Sequence, residues 1–438
     1  MAKGKKIGVI SLGCDKNRVD TEKMLAILQT KHSLVDSAEQ ADVIIVNTCA
    51  FLESSREEAI EEILLSSRQK QFGKAQKIIV TGCLPQKFVG ELFDELVEVD
   101  AFLGVSDYDK INQVIDSIFE GKRLNAVGLP CCDKTIDRVL TTENYAYLKI
   151  ADGCDNHCTY CLIPSIRGKF RSIPKEQLIL EAKNLGEVKE LILVAQDTTS
   201  YGKDIYKDYS LTNLLQELSA LQNVGSIRVL YCYPEGITDQ LINEFAQNQK
   251  IIKYIDIPFQ HADDSVLKRM NRKGSYNGYL MLVNKLKQKV KGIAIRSTFI
   301  AGFPGETEEQ FDTLMQFIKQ AQLFNAGFFA YSREFGTPAY KLDGQIPQKI
   351  KNSRTRKLYT QQKKVVNKIL KGFVGETIEV LAEGFDANMS VYYGRGYFNA
   401  PEIDGKVYFF SAEPIEYGQK YLIDITKADG YDLYGDRL

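Results

Sequence analysis

Three cysteines in the middle of the chain have a spacing that suits metal coordination. Cys154, Cys158 and Cys161 form the pattern CxxxCxxC within the stretch YAYLKIADGCDNHCTYCLIPSIRGKFR. Three thiolates this close together can bind three corners of a cubane iron–sulfur cluster and leave one iron open to a further ligand. A zinc site and a loop of reduced, metal-free cysteines are the alternatives. Zinc needs a fourth ligand, and His157 lies between two of the cysteines, where closing a tetrahedron with all three is awkward.

The residues around this motif indicate how it is held. An alternating strand, 147–150, leads into the loop, and Gly153, Asp155 and Asn156 supply turn residues. Beyond the loop, helices alternate with apolar strands at 190–195, 226–231, 254–258, 293–300 and 325–331. Six β/α units of this kind predict a partial (β/α)6 barrel of the TIM type, whose functional site lies at the C-terminal ends of the strands.

Polar residues near those strand ends are candidate ligands for a small molecule. Gln260 and Arg296 could hold a ribose and a carboxylate, or they could be structural polar groups. His261 is predicted to be a hydrogen-bonded scaffold residue, since no paired base is visible, and Cys232 is predicted to be buried. The loop GFPGE at 302–306 lacks the Lys-Ser/Thr of a phosphate-binding loop, so a nucleotide triphosphate site is rejected.

A second set of cysteines is spread over the first hundred residues. Each member directly follows a predicted strand: Cys14 after Ile7–Leu12, Cys49 after Asp42–Asn47 and Cys83 after Lys77–Thr81. Helical segments separate the strands, the first at Val19–Gln29 with Asp20 or Thr21 as its cap, so the sheet is predicted to be parallel and doubly wound. The carboxyl ends of such strands meet along one edge, which predicts a second cluster, although cysteine is also a common buried residue.

Composition limits the classes of protein to which the chain can belong. It has 438 residues, 44% of them hydrophobic and 26% charged, with a net charge of −1, which describes an ordinary globular protein of about three domains. The nine cysteines are scattered, which favours metal ligands in a reducing compartment over disulfides. The N-terminus predicts a strand rather than a signal peptide, and no apolar stretch is long enough to cross a membrane. A cytoplasmic protein without a membrane partner is expected.

The last quarter of the chain differs from the rest. From Pro347 a basic, helical stretch is predicted to lead away from the barrel with a solvated charged face. Residues 372–438 contain short strands, glycine turns and no cysteine, which predicts a small antiparallel β-barrel. This segment has 12 acidic and 5 basic residues, a net charge of −7. Such a surface repels phosphates and suits a basic protein partner.

The central motif resembles the signature of the radical S-adenosylmethionine (SAM) superfamily. The resemblance rests on CxxxCxxC after a strand, with an aromatic residue, Tyr160, just before the last cysteine. It implies an open partial barrel and a SAM molecule bound to the free iron through its amino and carboxylate groups. One electron then cleaves SAM to a 5′-deoxyadenosyl radical. Gln196 stands where many members carry a Gly-Gly-Glu turn, and the resemblance implies SAM contacts at Tyr160, Gln196, Gln260 and Arg296.

The N-terminal motifs SLGCDKNRVDTE, NTCAF and TGCLPQ resemble the methylthiotransferase family within that superfamily. The resemblance implies that Cys14, Cys49 and Cys83 ligate an auxiliary 4Fe–4S cluster, giving two such clusters in all. One SAM would methylate sulfur at the auxiliary cluster and another would supply the radical. The domains implied are 5–120, a radical SAM core at 140–370 and a TRAM domain at 372–438. The linker 121–139 contains Cys131 and Cys132, which are interpreted as bystanders.

Four further stretches, YPEGITD, DIPFQHADDSVLKRM, YSREFGTPAY and YYGRGYFNAPEIDG, resemble one branch of that family. This branch adds a methylthio group to the β-carbon of an aspartate in ribosomal protein S12 of the small subunit. The tRNA-modifying branch tends to have Gln-Ser-Gly in place of Gln260-His261-Ala262 and an Arg in place of Glu334. The resemblance implies flavodoxin or ferredoxin as reductant and no side chain as catalytic acid or base.

Two alternatives to this interpretation stay open. The nearer one is a tRNA adenosine methylthiotransferase, which the acidic C-terminal segment disfavours, so that tRNA is not expected as a partner. The more distant one is a two-cluster electron-transfer or scaffold protein without catalysis.

Overall fold

A computed structural model describes residues 4–131 and 137–438 of the chain. The apolar runs of the first third form one sheet with the strand order β2-β1-β3-β4-β5-β6, in which every neighbouring pair is parallel. Its strands are β1 (Lys6–Ser11), β2 (Ser33–Val35), β3 (Val43–Thr48), β4 (Lys77–Gly82), β5 (Ala101–Leu103) and β6 (Leu124–Ala126). Its helices are α1 (Asp15–Gln29), α2 (Glu53–Phe72), α3 (Cys83–Glu95) and α4 (Ile111–Phe119).

Successive residues of the central strand β3 point to opposite faces of this sheet. Ile44 and Val46 pack with α2 and α3 on one face, whereas Val43 and Ile45 pack with α1 and α4 on the other. Both faces are therefore covered by helices, and the predicted doubly wound α/β arrangement is confirmed. The strand β6 lies in the segment 121–139, which the sequence predicts to be a linker. The prediction missed this strand because three residues are too few to show a recognisable apolar pattern.

The middle of the chain forms a second parallel sheet in the order β7-β10-β11-β12-β13-β14. Its strands are β7 (Tyr145–Lys149), β10 (Val188–Val194), β11 (Val224–Val229), β12 (Ile251–Asp256), β13 (Ala294–Ala301) and β14 (Asn325–Ala330); the short strands β8 (Ala151–Asp152) and β9 (Arg171–Ser172) pair with each other. Its helices are α5 (Ile163–Arg167), α6 (Lys175–Asn184), α7 (Leu211–Ser219), α8 (Asp239–Gln247), α9 (Asp264–Arg269), α10 (Tyr276–Lys289) and α11 (Glu308–Ala321). The predicted partial (β/α)6 barrel is confirmed.

The basic helix after the barrel, α12 (Gln348–Leu370), packs on the barrel rather than leading away from it. Its contacts with β14 and α11 are extensive, and Leu358, Val365 and Val366 are buried on that side. These apolar positions recur about every seven residues and form a stripe along the helix. The sequence prediction missed them because charged residues predominate between them.

The C-terminal segment forms a closed barrel in the order β15-β16-β17-β19-β18. Its strands are β15 (Thr377–Asp386), β16 (Val391–Arg395), β17 (Val407–Phe410), β18 (Lys420–Asp429) and β19 (Asp432–Arg437). Four neighbouring pairs are antiparallel, as predicted, but β17 and β19 are parallel. A closed ring with an odd number of strands cannot alternate direction at every step, so one parallel pair is unavoidable.

This small barrel is seated against the open side of the larger one. Tyr254 and Leu230 of the large barrel share an apolar core with Val366 of α12 and with Phe398 and Val407 of the small barrel. Nearby, the buried Glu190 carboxylate accepts hydrogen bonds from Arg228 and, across the interface, from Arg395. Among the described helices, none is long and apolar enough to span a membrane.

Replacing Phe398 by Ala tests how firmly the small barrel is seated. The Phe398 ring is 1% exposed and its centroid lies 4.8 Å from that of Phe324 and 5.0 Å from that of Phe373. Loss of a buried aromatic side chain is expected to cost about 3–5 kcal/mol of unfolding free energy, measured by denaturant titration. Phe410→Ala is the control, because Phe410 is 57% exposed. Equal effects of the two substitutions would contradict this packing.

Candidate functional site

The structure brings the three N-terminal cysteines together at the carboxyl edge of the first sheet. We call Cys14, Cys49 and Cys83 the N-terminal trio. The thiols of Cys14 and Cys83 each lie 3.8 Å from the Oδ1 atom of Asn17, to which they donate. A Cβ atom on the preceding Gly13, which has φ +93°, would lie 3.4 Å from the Sγ atom of Cys49. The turn before Cys14 therefore requires glycine both for its backbone and for its space.

The N-terminal trio lies in surroundings of uneven polarity. Burial raises the pKa of the Cys83 thiol to about 12, and the guanidinium of Arg167 opposes this shift. Burial also raises the pKa of Cys49, which backbone hydrogen bonds from the Ala50–Phe51 turn partly offset. Cys14, in contrast, is exposed. With a raised pKa, the Cys49 and Cys83 thiols are protonated at neutral pH in the metal-free protein, so metal binding must displace their protons.

The second group, Cys154, Cys158 and Cys161, is called the barrel trio. It occupies the loop between β8 and α5, which is tied at its base by the hydrogen bond from the Cys154 N–H to the Gly168 carbonyl. A Cβ atom on Gly153, with φ +79°, would lie 2.1 Å from the Lys169 carbonyl oxygen, so the strands β8 and β9 can approach only at a glycine.

Donors surround the sulfur atoms of the barrel trio. The side-chain amide of Asn156 lies 3.5 Å from the Cys154 Sγ atom, the Ile163 N–H 3.4 Å from that of Cys161, and the Arg272 guanidinium 3.9 Å from that of Cys158. Burial, together with a smaller contribution from the neighbouring thiols, raises the pKa of Cys154 to about 11 and that of Cys161 to about 12.

The donor set of each trio fits a thiolate-held cluster. Among residues 4–131 and 137–438, no three His, Cys, Asp or Glu side chains lie close enough to hold a single metal ion. A cluster of several iron atoms spans more space than one ion, so its ligands stand farther apart. Hydrogen-bond donors aimed at the sulfur atoms stabilise such an anionic centre. His157 is exposed and has a left-handed backbone with φ 51°.

Tyr160 and Gln196, two of the predicted SAM contacts, lie beside the barrel trio. Burial, together with the nearby thiol of Cys158, raises the pKa of Tyr160 well above its ordinary value. The Gln196 amide donates to the Oδ1 atom of Asp152 at 2.9 Å. Its Oε1 atom is buried and accepts no hydrogen bond from the described residues. That oxygen is available to an ammonium group, but the contact with SAM stays a prediction.

The other two predicted SAM contacts differ in their surroundings. Gln260 is half-buried, has φ +73° and forms an isolated bridge with Phe299 at the barrel rim. Arg296 forms ion pairs with Asp256 at 2.9 Å and with Asp404 of the small barrel at 3.5 Å. These two carboxylates account for the burial of the Arg296 cation, so its role toward SAM also stays a prediction.

The remaining sequence predictions concern residues outside the ligand sets. His261 is fully buried, accepts the Asp263 N–H at its Nδ1 atom and has its Nε2 atom 3.4 Å from Glu306, as expected of a scaffold residue. Cys232 is buried, which confirms the prediction. Cys131 is exposed and Cys132 lies outside the described residues.

Glu334 has a structural role that its sequence pattern did not indicate. Its carboxylate is 2% exposed and accepts hydrogen bonds from the Glu53 N–H at 2.9 Å and from Arg56 at 2.6 Å, both at the start of α2. The loop after β14 is thereby attached to the helix that follows Cys49. This buried carboxylate joins the first domain to the barrel.

Sequence reasoning also missed the buried charges between the two trios. Arg167, which is 1% exposed, lies between Asp20 of α1 and Asp152 of β8, and Lys149 pairs with Asp20. The prediction of Asp20 as a helix cap is wrong, because α1 begins at Asp15 and Asp20 is buried within it. The signal available in the sequence was the presence of two charged residues, Lys149 at the end of β7 and Asp152 in β8, in an otherwise apolar stretch.

A second contact path joins the trios through a buried lysine. The Lys16 ammonium lies 3.4 Å above the ring of Tyr231, a residue with φ 60° that follows β11. The Tyr231 carbonyl accepts the Thr198 N–H, and next to Thr198 the Asp197 carboxylate accepts from Asn156, which also donates to Cys154. Strained backbone at a strand end is typical of functional sites.

A cavity of about 670 Å³ opens beside Cys14. Asp15, Arg18, Asp36 and Glu402 supply its charged lining, so it is acidic overall. The Asp15 Oδ2 atom is buried and receives no hydrogen bond from the described residues. The cavity thus offers carboxylate acceptors next to the N-terminal trio.

Comparison with protein families gives three matches along the chain. Residues 6–104 match the Uncharacterized protein family UPF0004, residues 148–318 match the Radical SAM superfamily and residues 374–437 match the TRAM domain. Two similar proteins are the ribosomal protein uS12 methylthiotransferases RimO of Clostridium botulinum and of a Thermoanaerobacter species. They are 47% and 45% identical to this chain, over 98% and 99% of its length and 97% and 100% of theirs.

Solved structures share the fold at low sequence identity. The radical SAM methyltransferase TsrM of Kitasatospora setae superposes with a TM-score of 0.57 at 13% identity, over 77% of either chain. The cobalamin-dependent SAM radical enzyme OxsB superposes with a TM-score of 0.54 at 11% identity, over 82% of this chain and 57% of that one.

Thiol labelling of the metal-free protein tests the surroundings of these cysteines. At pH 8 the raised pKa of Cys83 is expected to make its alkylation by iodoacetamide on the order of 10³-fold slower than that of an unperturbed thiol, because the thiolate is the nucleophile. Mass spectrometry of quenched samples measures the rate at each cysteine. The same protein in guanidinium chloride is the control, where all thiols should react alike. Equal rates for folded and unfolded Cys83 would contradict the burial described.

Proposed function

Because this chain belongs to the RimO family of ribosomal protein uS12 methylthiotransferases, we propose that it adds a methylthio group to the β-carbon of an aspartate in that protein. It is a radical SAM enzyme, and its UPF0004, radical SAM and TRAM matches follow one another along the chain. The observation that carries the proposal is the placement of two cysteine trios on adjoining domains, joined by buried polar contacts. A transfer that needs both a radical and a sulfur carrier requires two such sites within reach of one substrate carbon.

The radical SAM family implies one 4Fe–4S cluster and SAM, which supply one-electron hydrogen abstraction when bound. We propose that Cys154, Cys158 and Cys161 hold this cluster, and that Cys14, Cys49 and Cys83 hold a second one as the site of sulfur transfer. Tyr160, Gln196, Gln260 and Arg296 are the proposed SAM contacts. Hydrogen abstraction needs no side-chain base. The role left to the chain is therefore to orient the substrate and to exclude water.

Charge supports a protein substrate over a nucleic acid. The small barrel has a net charge of −7, and Glu402 of that barrel extends the acidic lining of the cavity to Cys14. A negative surface repels the phosphates of tRNA and attracts the basic segments of a ribosomal protein. The unpaired oxygen of Asp15 provides an acceptor for a basic side chain next to the target residue.

Electrons must reach the barrel trio from outside the chain. We propose a small cytoplasmic reductant, flavodoxin or ferredoxin, as the donor. The exposed His157 marks the side on which the barrel trio approaches the surface.

Mass spectrometry on two substrates tests the choice of substrate. Reconstituted enzyme is incubated with SAM, sulfide, reductant and either purified uS12 or bulk tRNA. Replacement of H by SCH3 adds about 46 Da, and we expect this gain on one aspartate of uS12 and none on tRNA. The same gain on a tRNA adenosine would overturn the proposal in favour of the tRNA-modifying branch. Absence of SAM cleavage would favour an electron-transfer or scaffold protein.

Single cysteine substitutions test the division of labour between the trios. Cys154→Ala is expected to abolish reductive SAM cleavage, whereas Cys49→Ala should retain cleavage and lose methylthiolation. Chromatography of 5′-deoxyadenosine and mass spectrometry of uS12 measure the two activities. Cys131→Ala is the matched control, because Cys131 belongs to neither trio. Equal loss of cleavage in Cys154→Ala and Cys49→Ala would show that the two sites do not act separately.

A further inference from the structure

The helix α5 connects the two trios over a very short distance along the chain. It begins two residues after Cys161 and ends at Arg167, and five helical residues rise only about 7.5 Å. Leu162 and Ile166 are buried in the core of the first domain, with α2 and α3. The helix that leaves the barrel trio is therefore anchored in the domain that holds the N-terminal trio.

The guanidinium of Arg167 contacts both sites at once. One of its terminal nitrogens, Nη2, lies 3.7 Å from the Cys83 Sγ atom and donates to Asn17 Oδ1 at 2.7 Å. The other, Nη1, donates to the Asp152 carboxylate at 2.9 Å. Both nitrogens also reach Asp20 at 3.2 Å. A planar, always charged fork can make these contacts simultaneously, which a lysine cannot.

Asp152 transmits this contact to the barrel. One carboxylate oxygen accepts from Arg167, and the other accepts from the Gln196 amide nitrogen at 2.9 Å. Because the amide nitrogen is engaged, the carbonyl oxygen of Gln196 must point the other way, and it is the atom that is buried without a partner among the described residues. Asp152 thus decides which end of the Gln196 amide faces the barrel site.

We propose that Arg167 is a positioning residue shared by both cofactor sites: it tunes the cluster at Cys83 and, through Asp152, holds the Gln196 carbonyl toward the amino group of SAM. The inference deepens the proposed function and rests on it. A cation that donates to a ligand sulfur stabilises the reduced, more negative cluster and so raises its reduction potential. A carbonyl that is already held in place loses less conformational entropy when it binds an ammonium group, so the binding is tighter.

Two substitutions separate the two contacts of Arg167. Arg167→Gln removes the donor at Cys83 and the cation at Asp152, so it should lower the potential of the N-terminal cluster and raise the SAM dissociation constant about tenfold. Asp152→Asn keeps the Arg167 guanidinium at Cys83. It replaces the carboxylate beside Gln196 by an amide, which can either accept or donate a hydrogen bond and therefore no longer fixes which end of the Gln196 amide faces the barrel site. It should raise the SAM dissociation constant to a similar extent and not lower the potential.

The matched control is Arg228→Gln. Arg228 is also 1% exposed and also pairs with a buried carboxylate, Glu190, but its contacts lie at the interface with the small barrel. It should lower thermal stability and leave both the potential and SAM affinity unchanged. A merely structural role of Arg167 would make Arg167→Gln resemble this control.

The potential is measured by redox titration followed by electron paramagnetic resonance, in a Cys154→Ala background where only the N-terminal trio can load. SAM affinity is measured by equilibrium dialysis of the fully loaded enzyme. An unchanged potential in Arg167→Gln would overturn the link to Cys83, and unchanged SAM affinity in both variants would overturn the link to Gln196. Mass spectrometry of uS12 incubated with the parent enzyme distinguishes these results from failure of the proposed function, which would leave uS12 without the methylthio group.

Discussion

The arrangement of this protein depends on the burial of one short helix between two domains. α5 carries apolar side chains into the core of the first domain and presents Arg167 to buried carboxylates on both sides. Taking a guanidinium out of water is costly unless carboxylates and hydrogen bonds replace the solvent. Asp20 from α1 and Asp152 from β8 meet that requirement only when the two domains are docked in one register. The buried charge therefore specifies how the two domains dock, and the docking places Arg167, on the helix that follows Cys161, 3.7 Å from the Cys83 Sγ atom.

The small barrel completes the active region from the opposite side. A partial barrel leaves inward-facing residues such as Tyr254 and Arg296 without neighbours, and the C-terminal segment covers them with Phe398 and Asp404. The Tyr254 hydroxyl donates to Asp404 at 2.7 Å. Side chains of the small barrel thereby fill and close the large barrel around Tyr254. Open space is left near the strand ends and Cys14, where the acidic rim of Glu402 meets the N-terminal domain. The small barrel thus also serves as a wall of this space.

Both trios combine buried thiols with a guanidinium placed beside one of the sulfur atoms. Burial disfavours a free thiolate, as the raised pKa values of Cys83 and Cys161 show, but a cluster holds its ligands as thiolates. Each trio has one guanidinium beside one sulfur, Arg167 at Cys83 and Arg272 at Cys158. In the proposed cluster-bound state these cations would limit the cost of the negative charge without occupying the position of a ligand.

Local patterns of apolar residues and cysteines were enough to predict the fold class, the three-part organisation and both cysteine groups. Apolar strands that alternate with helices can form only a parallel sheet, and parallel strands deliver residues such as Cys14 and Cys83 to one edge. Tertiary structure alone decided the docking of α12, the parallel pair that closes the small barrel and the position of Glu334. It also decided that Arg167, Asp20 and Asp152 form one buried network. Charged residues have no periodic signature, and their partners come from distant elements, so only the packed domains reveal what each one neutralises.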